Sequence, residues 1–464
     1  MRPPDPRRLL AALCALGLAA ALWPATAQAQ ESPGGGEPGG IDVVQVDGLL
    51  DPANASLVRR VVRDAQRDGA TVVVLQLDAT GAVDIDVDAL VSVVENAEVP
   101  VGVWVGPSGA DARGAAALLA LAAPVVAVAP GAGIGPVLPV ELDDTDAWES
   151  DDVAARVEGF QGRFGREADA VESVLTERVP ARDAFRLGLT DGDEPTVGDF
   201  IVALDGETVE TAAGPVALDT ADTVGEGRDR RKQPNQTVRF HKLTLDQQLA
   251  HTLVTPWVAY FLFLAGAALI VFEFFTAGIG IAGVVGAVAL AMACFGFSHL
   301  PVTWWALALV VFAVLALSVD VQAGTLGFWS GVGAIALVVG SVRFYGGSSR
   351  LDPTWWVLLI VIGATVLFFV SGMTAMVRSR FSTPTIGREE LVGEMGIAEV
   401  DVAPDGVVRV RDALWRARTN RATPIAAGAI VRVVAIDGVL LEVEPEDGGA
   451  RDYRDRARKR PRDS

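Results

Sequence analysis

Lysine, histidine and cysteine are nearly missing from these 464 residues. Lysine occurs only as Lys232, Lys242 and Lys459, histidine as His241, His251 and His299, and cysteine as Cys14 and Cys294. Both cysteines stand inside apolar runs, which excludes a disulfide framework and a cysteine-based metal centre. Between residues 31 and 231 there is no Lys, His or Cys at all. A serine hydroxyl becomes a nucleophile only beside a group whose pKa can approach neutrality. Neither a Ser-Lys nor a Ser-His-Asp arrangement can therefore be assembled inside that stretch. Disordered and fibrous classes are excluded as well, because 51% of the chain is hydrophobic and only 21% is charged. At ~100–200 residues per domain, the length allows two or three domains.

What is present divides the chain by composition. Arg2, Arg7 and Arg8 precede the apolar stretch Leu9 to Leu22 and a close in small residues, Ala25-Thr26-Ala27-Gln28-Ala29. This order predicts a secretory signal peptide over 1–29, cut after Ala29, with an uncleaved anchor helix as the other reading. Residues 30–40, rich in Gly and Pro, read as a flexible linker.

From Ile41 onward, short β-branched runs (Ile41 to Val46, Thr71 to Leu77, Val99 to Val105, Pro124 to Ala129) alternate with amphipathic stretches. In 54–67, Leu57, Val58, Val61, Val62 and Ala65 recur at helical spacing, as do Val87, Leu90, Val91 and Val94 in 86–96. Strands alternating with such helices predict an α/β domain, placed at 41–227, with one further helix over 151–178. Residues 31–227 hold 37 Asp plus Glu against 11 Arg, so this segment is strongly acidic and the remainder is net basic. An acidic surface repels nucleic acid and anionic headgroups.

After a basic linker at 228–252, five apolar runs follow: Leu253 to Phe275, Ile279 to Phe297, Val302 to Val319, Thr325 to Val342 and Trp355 to Val377. Each approaches the ~20 residues that carry a helix across a bilayer, which predicts an all-α polytopic transmembrane domain. Trp257, Trp304, Trp305, Trp329, Trp355 and Trp356 stand near the run ends, as interfacial aromatics do. An exported first domain and five spans place the C-terminus in the cytoplasm, in keeping with Arg378, Arg380 and Arg388 after the last run. Arg228, Arg230, Arg231, Lys232, Arg239 and Lys242 before the first run argue against that orientation, and an even span count would put both domains on one side. Glu273 is the one charged residue within the runs, a default functional candidate that the end of its run also makes interfacial. Gly278, Gly280, Gly283 and Gly286 suit close helix packing or a tight turn.

Residues 386–445 alternate again in five short runs with turns at Asp405-Gly406 and Asp437-Gly438, predicting a small all-β barrel of OB type. This segment carries 7 Arg against 10 Asp plus Glu and has Trp415 as its one aromatic, so the basic groove and stacking platform of a nucleic-acid binder are missing. Trp415 is a candidate for a protein contact or for the barrel core. The charged tail 446–464 reads as disordered, with basic residues suited to anionic lipid.

This order of segments resembles the long form of the NfeD family, membrane proteins whose exported domain is similar to a ClpP-class serine protease. The resembling residues run through the chain: Val99-Pro100-Val101 leading to Gly106-Pro107-Ser108-Gly109-Ala110; Ala129-Pro130-Gly131 with Ile134-Gly135; Ala184, Gly188-Leu189 and Asp191. Phe272-Glu273 with Thr276, Gly278, Gly280 and Gly283 resembles the family's membrane motif. Gly387-Arg388, Gly393, Gly396, Leu414-Trp415-Arg416-Ala417 and Asp437-Gly438 resemble its barrel signature. The resemblance implies a ClpP/crotonase-like fold, a serine nucleophile, a lysine base, self-association and a stomatin/flotillin (SPFH) partner.

The chain departs from that pattern where the chemistry would sit. The nucleophile position falls on Gly114, and Gly81 alone remains of an expected glycine pair in the oxyanion loop Asp78-Ala79-Thr80-Gly81-Ala82. Ser108 reads as a turn residue, Asp84 and Asp86 as solvated carboxylates at a helix start, and Arg113 as a surface residue. A base from Lys232 or Lys242 would have to come from beyond the domain. The expectation is a non-catalytic scaffold of the membrane, without cofactor or metal, whose groove still takes unfolded or apolar peptides by strand addition. The rival is an active membrane-bound endopeptidase.

Overall fold

The computed structural model describes residues 39–166, 171–225, 230–276, 280–323, 327–346, 350–381, 389–419 and 423–446. The signal peptide, most of the linker, Gly278, Gly387-Arg388 and the charged tail lie outside the described residues.

The chain opens with β1 (Ile41–Leu50), α1 (Pro52–Asp68), β2 (Val72–Ala82), α2 (Val87–Glu95) and β3 (Val101–Val105). Buried β-branched residues on both faces of β1 to β3 are what a covered parallel sheet requires, and these strands pair in parallel. Asp51 starts α1 by accepting from the Asn54 N–H, and Asp86 starts α2 by accepting from the Ala89 N–H. Gly69, in the left-handed region, ends α1. Next come β4 (Asp111–Ala112), the wholly buried α3 (Ala115–Leu121), β5 (Val125–Val128) and β6 (Gly133–Ile134).

The single helix expected over 151–178 is instead α4 (Ser150–Arg163) and α5 (Val171–Thr176); α4 ends at Phe164, followed by Gly165 at φ 67°. Then follow β7 (Val179–Pro180), α6 (Ala181–Arg186), α7 (Val197–Ala203), β8 (Thr208–Thr211), β9 (Gly214–Ala217) and β10 (Ala221–Val224). Asp191 ties this return to the sheet: its N–H donates to Val126 O, and its carboxylate accepts from the Val126 N–H and from Arg166.

The expected end of the α/β domain at residue 227 is too early. β11 (Arg231–Pro234) pairs antiparallel with β10, and β12 (Val238–His241) is an edge strand of the main sheet, parallel to β1. One buried carboxylate fixes that edge. Asp42 accepts from Arg239 through both nitrogens at 2.8 Å and lies 2.8 Å from His241 Nε2. Its carboxyl is held below the ordinary range; burial opposes this, and the bonds to His241 and Arg239 prevail. The segment read as a juxtamembrane linker is thus part of the fold, and it continues into α8 (Leu245–Val254), which packs on α1.

Five apolar helices follow: α9 (Pro256–Thr276), α10 (Ile281–His299), α11 (Trp304–Ala323), α12 (Phe328–Val342) and α13 (Trp355–Leu367). The last continues through a π-helical turn (Phe368–Met373) into α14 (Thr374–Phe381). Four of these helical segments have the length and composition to cross a membrane, and α12, with 15 residues, is shorter. Helices α9 and α10 form one tight hairpin and α11 and α12 another, each with glycines against the neighbouring backbone. Gly266 and Gly286 face each other, and Gly333 and Gly340 meet α11. The chain returns to the α/β domain after each hairpin: His299 at the end of α10 bonds Asp84, and Arg350, beyond α12, bonds Leu138 O.

The C-terminal unit has its own core. Strands β13 (Met395–Ala398), β14 (Asp405–Val410), β15 (Ala413–Arg418), β16 (Ile430–Asp437) and β17 (Leu440–Pro445) close into a five-stranded barrel around Ala398, Val408, Val410, Val431, Val433, Leu441 and Val443.

Candidate functional site

The N-terminus of α3 is where an α/β hydrolytic site of the resembled kind would place its nucleophile. Gly114 is the N-cap there, with φ 60° and ψ −133°. This is the sharp, strained strand-to-helix geometry that presents a nucleophile, here held by the residue type that adopts it at least cost. A Cβ on Gly114 would stand 3.0 Å from Pro139 O, 3.0 Å from Val140 O and 3.2 Å from Gly81 Cα. The backbone donors are also occupied. The Gly114 N–H donates to Pro136 O at 2.9 Å, and the Ala115 N–H to Val140 O at 3.0 Å. An oxyanion hole needs N–H groups aimed at the reacting oxygen, and here the chain's own carbonyls take them.

The segment 136–142 lies along this site. Its Leu142 N–H donates to Ala82 O at 2.8 Å, Glu141 bridges Ala82 in parallel, and the Leu142 side chain covers Gly81, where an added Cβ would come within 2.6 Å of it. Gly81 therefore sits in the loop beside Gly114, beneath the Leu142 side chain. Burial pushes the Glu141 carboxyl above its ordinary range, against the bond it accepts from Trp148 Nε1 at 3.1 Å.

From the membrane side, Arg350 Nη2 donates to Leu138 O at 2.7 Å, with marginal contacts of 3.5 Å to Pro136 O and, through Nη1, to Thr80 O. Burial, and after it the neighbouring Arg113, push the Arg350 guanidinium below its usual range. Arg113 itself pairs with Asp111, which also pairs with Arg178, both at 2.5 Å.

The other sequence candidates take structural places. Ser108 is exposed in the turn after β3. Asp86 caps α2, and Asp84 lies 2.6 Å from His299 Nδ1. Lys232, inside the corrected domain, donates to Asp205 at 2.9 Å.

Nothing in the sequence pattern marks the histidines. His251 Nδ1 lies 2.9 Å from buried Asp51, with its other ring edge near Gly48, and His299 Nδ1 lies against Asp84. Bonding to Asp51 raises the His251 pKa above its ordinary value, against burial. Each pair has the form of a base with its orienting carboxylate, yet among the described residues no hydroxyl or thiol is hydrogen-bonded to either Nε2. All three histidines instead join the α/β core to the elements that run to and from the membrane.

In the helical region, Glu273 Oε1 accepts from the Gly280 N–H at 2.8 Å, and Gly283 packs on the Glu273 side chain. A second acidic residue was missed because hydropathy ended the third run at Val319. Helix α11 reaches Ala323, and Asp320, buried, accepts from the Gly327 N–H at 2.9 Å and the Ser330 N–H at 2.7 Å. In both hairpins a carboxylate near the end of one helix thus holds the N-terminus of the next.

On the barrel, Trp415 is half-buried and packs against the core, opposite Val408. The outward row is different. Ile430, Ile397, Arg409 and Leu414 are cross-strand neighbours, and all four are exposed. With Met395 and Arg432, also paired and exposed, they make an apolar face with basic residues.

The comparisons with known proteins fall on the same segments. Residues 257–373 match the NfeD integral membrane domain, and residues 388–445 match the NfeD-like C-terminal, partner-binding domain. The chain is 26% identical over 429 residues to the membrane-bound protease PH1510 of Pyrococcus horikoshii, covering 88% of this chain and 94% of that one. A mutant of the 1510-N membrane-bound stomatin-specific protease, solved with a substrate peptide, matches at 20% identity and a TM-score of 0.39, over 46% of this chain and 96% of that one. The C-terminal domain of the stomatin operon partner protein 1510-C from Pyrococcus horikoshii matches at 39% identity and a TM-score of 0.13, over 13% of this chain and 95% of that one.

Proposed function

The chain belongs to the NfeD family, and from that premise we propose that it is a membrane scaffold whose protease-like domain no longer cuts peptide bonds. The observation that carries this reading is the N-terminus of α3. Gly114 offers no nucleophilic atom, and the two N–H groups beside it are spent on Pro136 O and Val140 O. In this reading the α/β domain retains a peptide-binding role, with apolar or unfolded segments as ligands.

The barrel holds an SPFH-type partner through the face of Ile397, Ile430 and Leu414, in place of Trp415. Exposed Ile430 and Ile397, with Leu414 beyond the intervening Arg409 and with Arg432 beside Met395, suit an amphipathic segment with acidic edges. The α/β domain is exported and the chain emerges on the cytoplasmic side after α14. Support comes from the two returns to the α/β domain, at His299 and Arg350, which leave an odd number of crossings.

The experiment is a paired assay on the full chain in detergent: fluorophosphonate labelling alongside binding of unfolded and apolar peptides. Binding without labelling is expected, and labelling with turnover would establish the endopeptidase instead. A crosslinking pull-down through the barrel that recovers no SPFH-type protein would remove that partner.

A further inference from the structure

A groove of about 650 Å³ lies between the first and last of the apolar helices. Trp257 and Phe261 on α9 face Trp356 and Ile360 on α13, and the polar end is closed by Arg350 and Asp352 in the loop before α13. The volume falls within the roughly 300–1,000 Å³ of small-molecule sites, and the walls are apolar with a few polar groups gathered at one end. We propose that this groove binds one phospholipid of the bilayer with a zwitterionic amine headgroup, its acyl chain between α9 and α13, its phosphate at Arg350 and its ammonium at Asp352.

Three observations favour that occupant. Two tryptophans at the polar end mark an interfacial depth, where lipid is the neighbouring material. The polar end carries one charge of each sign, Arg350 and Asp352, which a zwitterion complements and a purely anionic or purely apolar ligand does not. Both groups are also shifted toward their neutral forms in the fold. Burial first, and then Arg113, work against the Arg350 cation, while burial raises the Asp352 carboxyl in spite of Arg343 nearby. A bound phosphate and a bound ammonium would each favour the charged form. Because Arg350 also donates to Leu138 O, a lipid seated here touches the residue that braces the segment over Gly81 and Gly114. The proposal does not depend on whether that cleft binds peptides.

The test uses the full chain reconstituted in phosphatidylcholine vesicles containing a phosphatidylethanolamine with a diazirine on its acyl chain. Photolysis is expected to label residues 256–261 and 353–361 above all other apolar helices. Unlabelled phosphatidylethanolamine should compete roughly tenfold better than phosphatidylglycerol, the discrimination of one charge-assisted contact. Asp352→Asn should abolish that preference, and Ile360→Trp, which fills the groove, should remove labelling at 353–361 while labelling elsewhere persists. Uniform labelling of all bilayer-facing helices, or equal competition by phosphatidylglycerol, would overturn the proposal. So would crosslinks joining α9 of one chain to α13 of another, because they would make the occupant a second copy. Should Ile360→Trp fail to fold, Asp352→Asn and the competition series still decide the matter.

Discussion

Replacing Gly114 by serine supplies the hydroxyl whose loss the scaffold proposal invokes, and the structure predicts a less stable protein that remains inert. The backbone at φ 60° and ψ −133° is strained for any residue with a Cβ, at a cost of about 1–3 kcal/mol. The new Cβ would also stand 3.0 Å from two carbonyl oxygens and 3.2 Å from Gly81 Cα, so the segment carrying Pro139 and Val140 must give way. For a domain near 200 residues, each kcal/mol lowers Tm by ~2–4 °C, so the strain alone corresponds to a fall of ~2–12 °C. Gly114→Ala should fall by a similar amount, because the Cβ and not the hydroxyl is responsible. The assay is thermal loss of protease resistance of the α/β domain within the detergent-solubilised full chain, beside fluorophosphonate labelling of the same samples. Neither substitution should produce labelling, since among the described residues no base is bonded to that position and the Gly114 and Ala115 N–H groups are engaged. A serine variant as stable as the natural protein would refute the strain argument. One that becomes labelled would refute the claim that the surrounding machinery is gone.

Further expectations concern what holds the parts together. The His251 pKa is raised in the fold by Asp51, so its contribution is full below the unfolded value of ~6.5 and is lost as pH rises through the folded value. The stability difference between the natural protein and His251→Gln should therefore shrink from acid to alkaline pH; a difference that grows would contradict the pairing. Asp42 has the opposite sign, with its contribution present above ~4 and lost as pH falls through its lowered value. Arg239→Ala would leave the buried Asp42 carboxylate with His241 alone and should cost about 3 kcal/mol, read as early release of β12 in hydrogen exchange. Asp320→Ala should destabilise the α11–α12 hairpin by about 1–2 kcal/mol, and Asp320→Asn by less because its amide oxygen still accepts; thermal denaturation in detergent would measure both.

The elements with a strong period were legible from residues alone. The strands of β1 to β3, the amphipathic α1 and α2, the apolar helices and the five barrel strands fall within a few residues of their expected limits. What was not legible depends on partners far away in the chain. Strand β12 reads Val-Arg-Phe-His, an alternation of only four residues inside a basic segment, too short to mark a strand by itself. It becomes one because Asp42, about 200 residues earlier, binds its Arg239 and His241. Asp320 was lost because hydropathy ends a run at a carboxylate, whereas the helix continues and spends that carboxylate on the next helix. Trp415 was the visible candidate as the barrel's one aromatic, yet strand alternation turns it toward the core and leaves Leu414 outward. At the candidate site the residues alone single out Gly114 and Gly81. Only the fold places the segment 136–142 and Arg350 against Gly114 and Gly81.

The most direct measurement is fluorophosphonate labelling of the purified full chain with hydrolysis of apolar peptides followed in the same tube, using a serine protease that the probe labels as the positive control. The scaffold reading predicts bound peptide, no labelled serine and no cleavage. A labelled serine within residues 39–241, with peptide turnover that the probe abolishes, would contradict it.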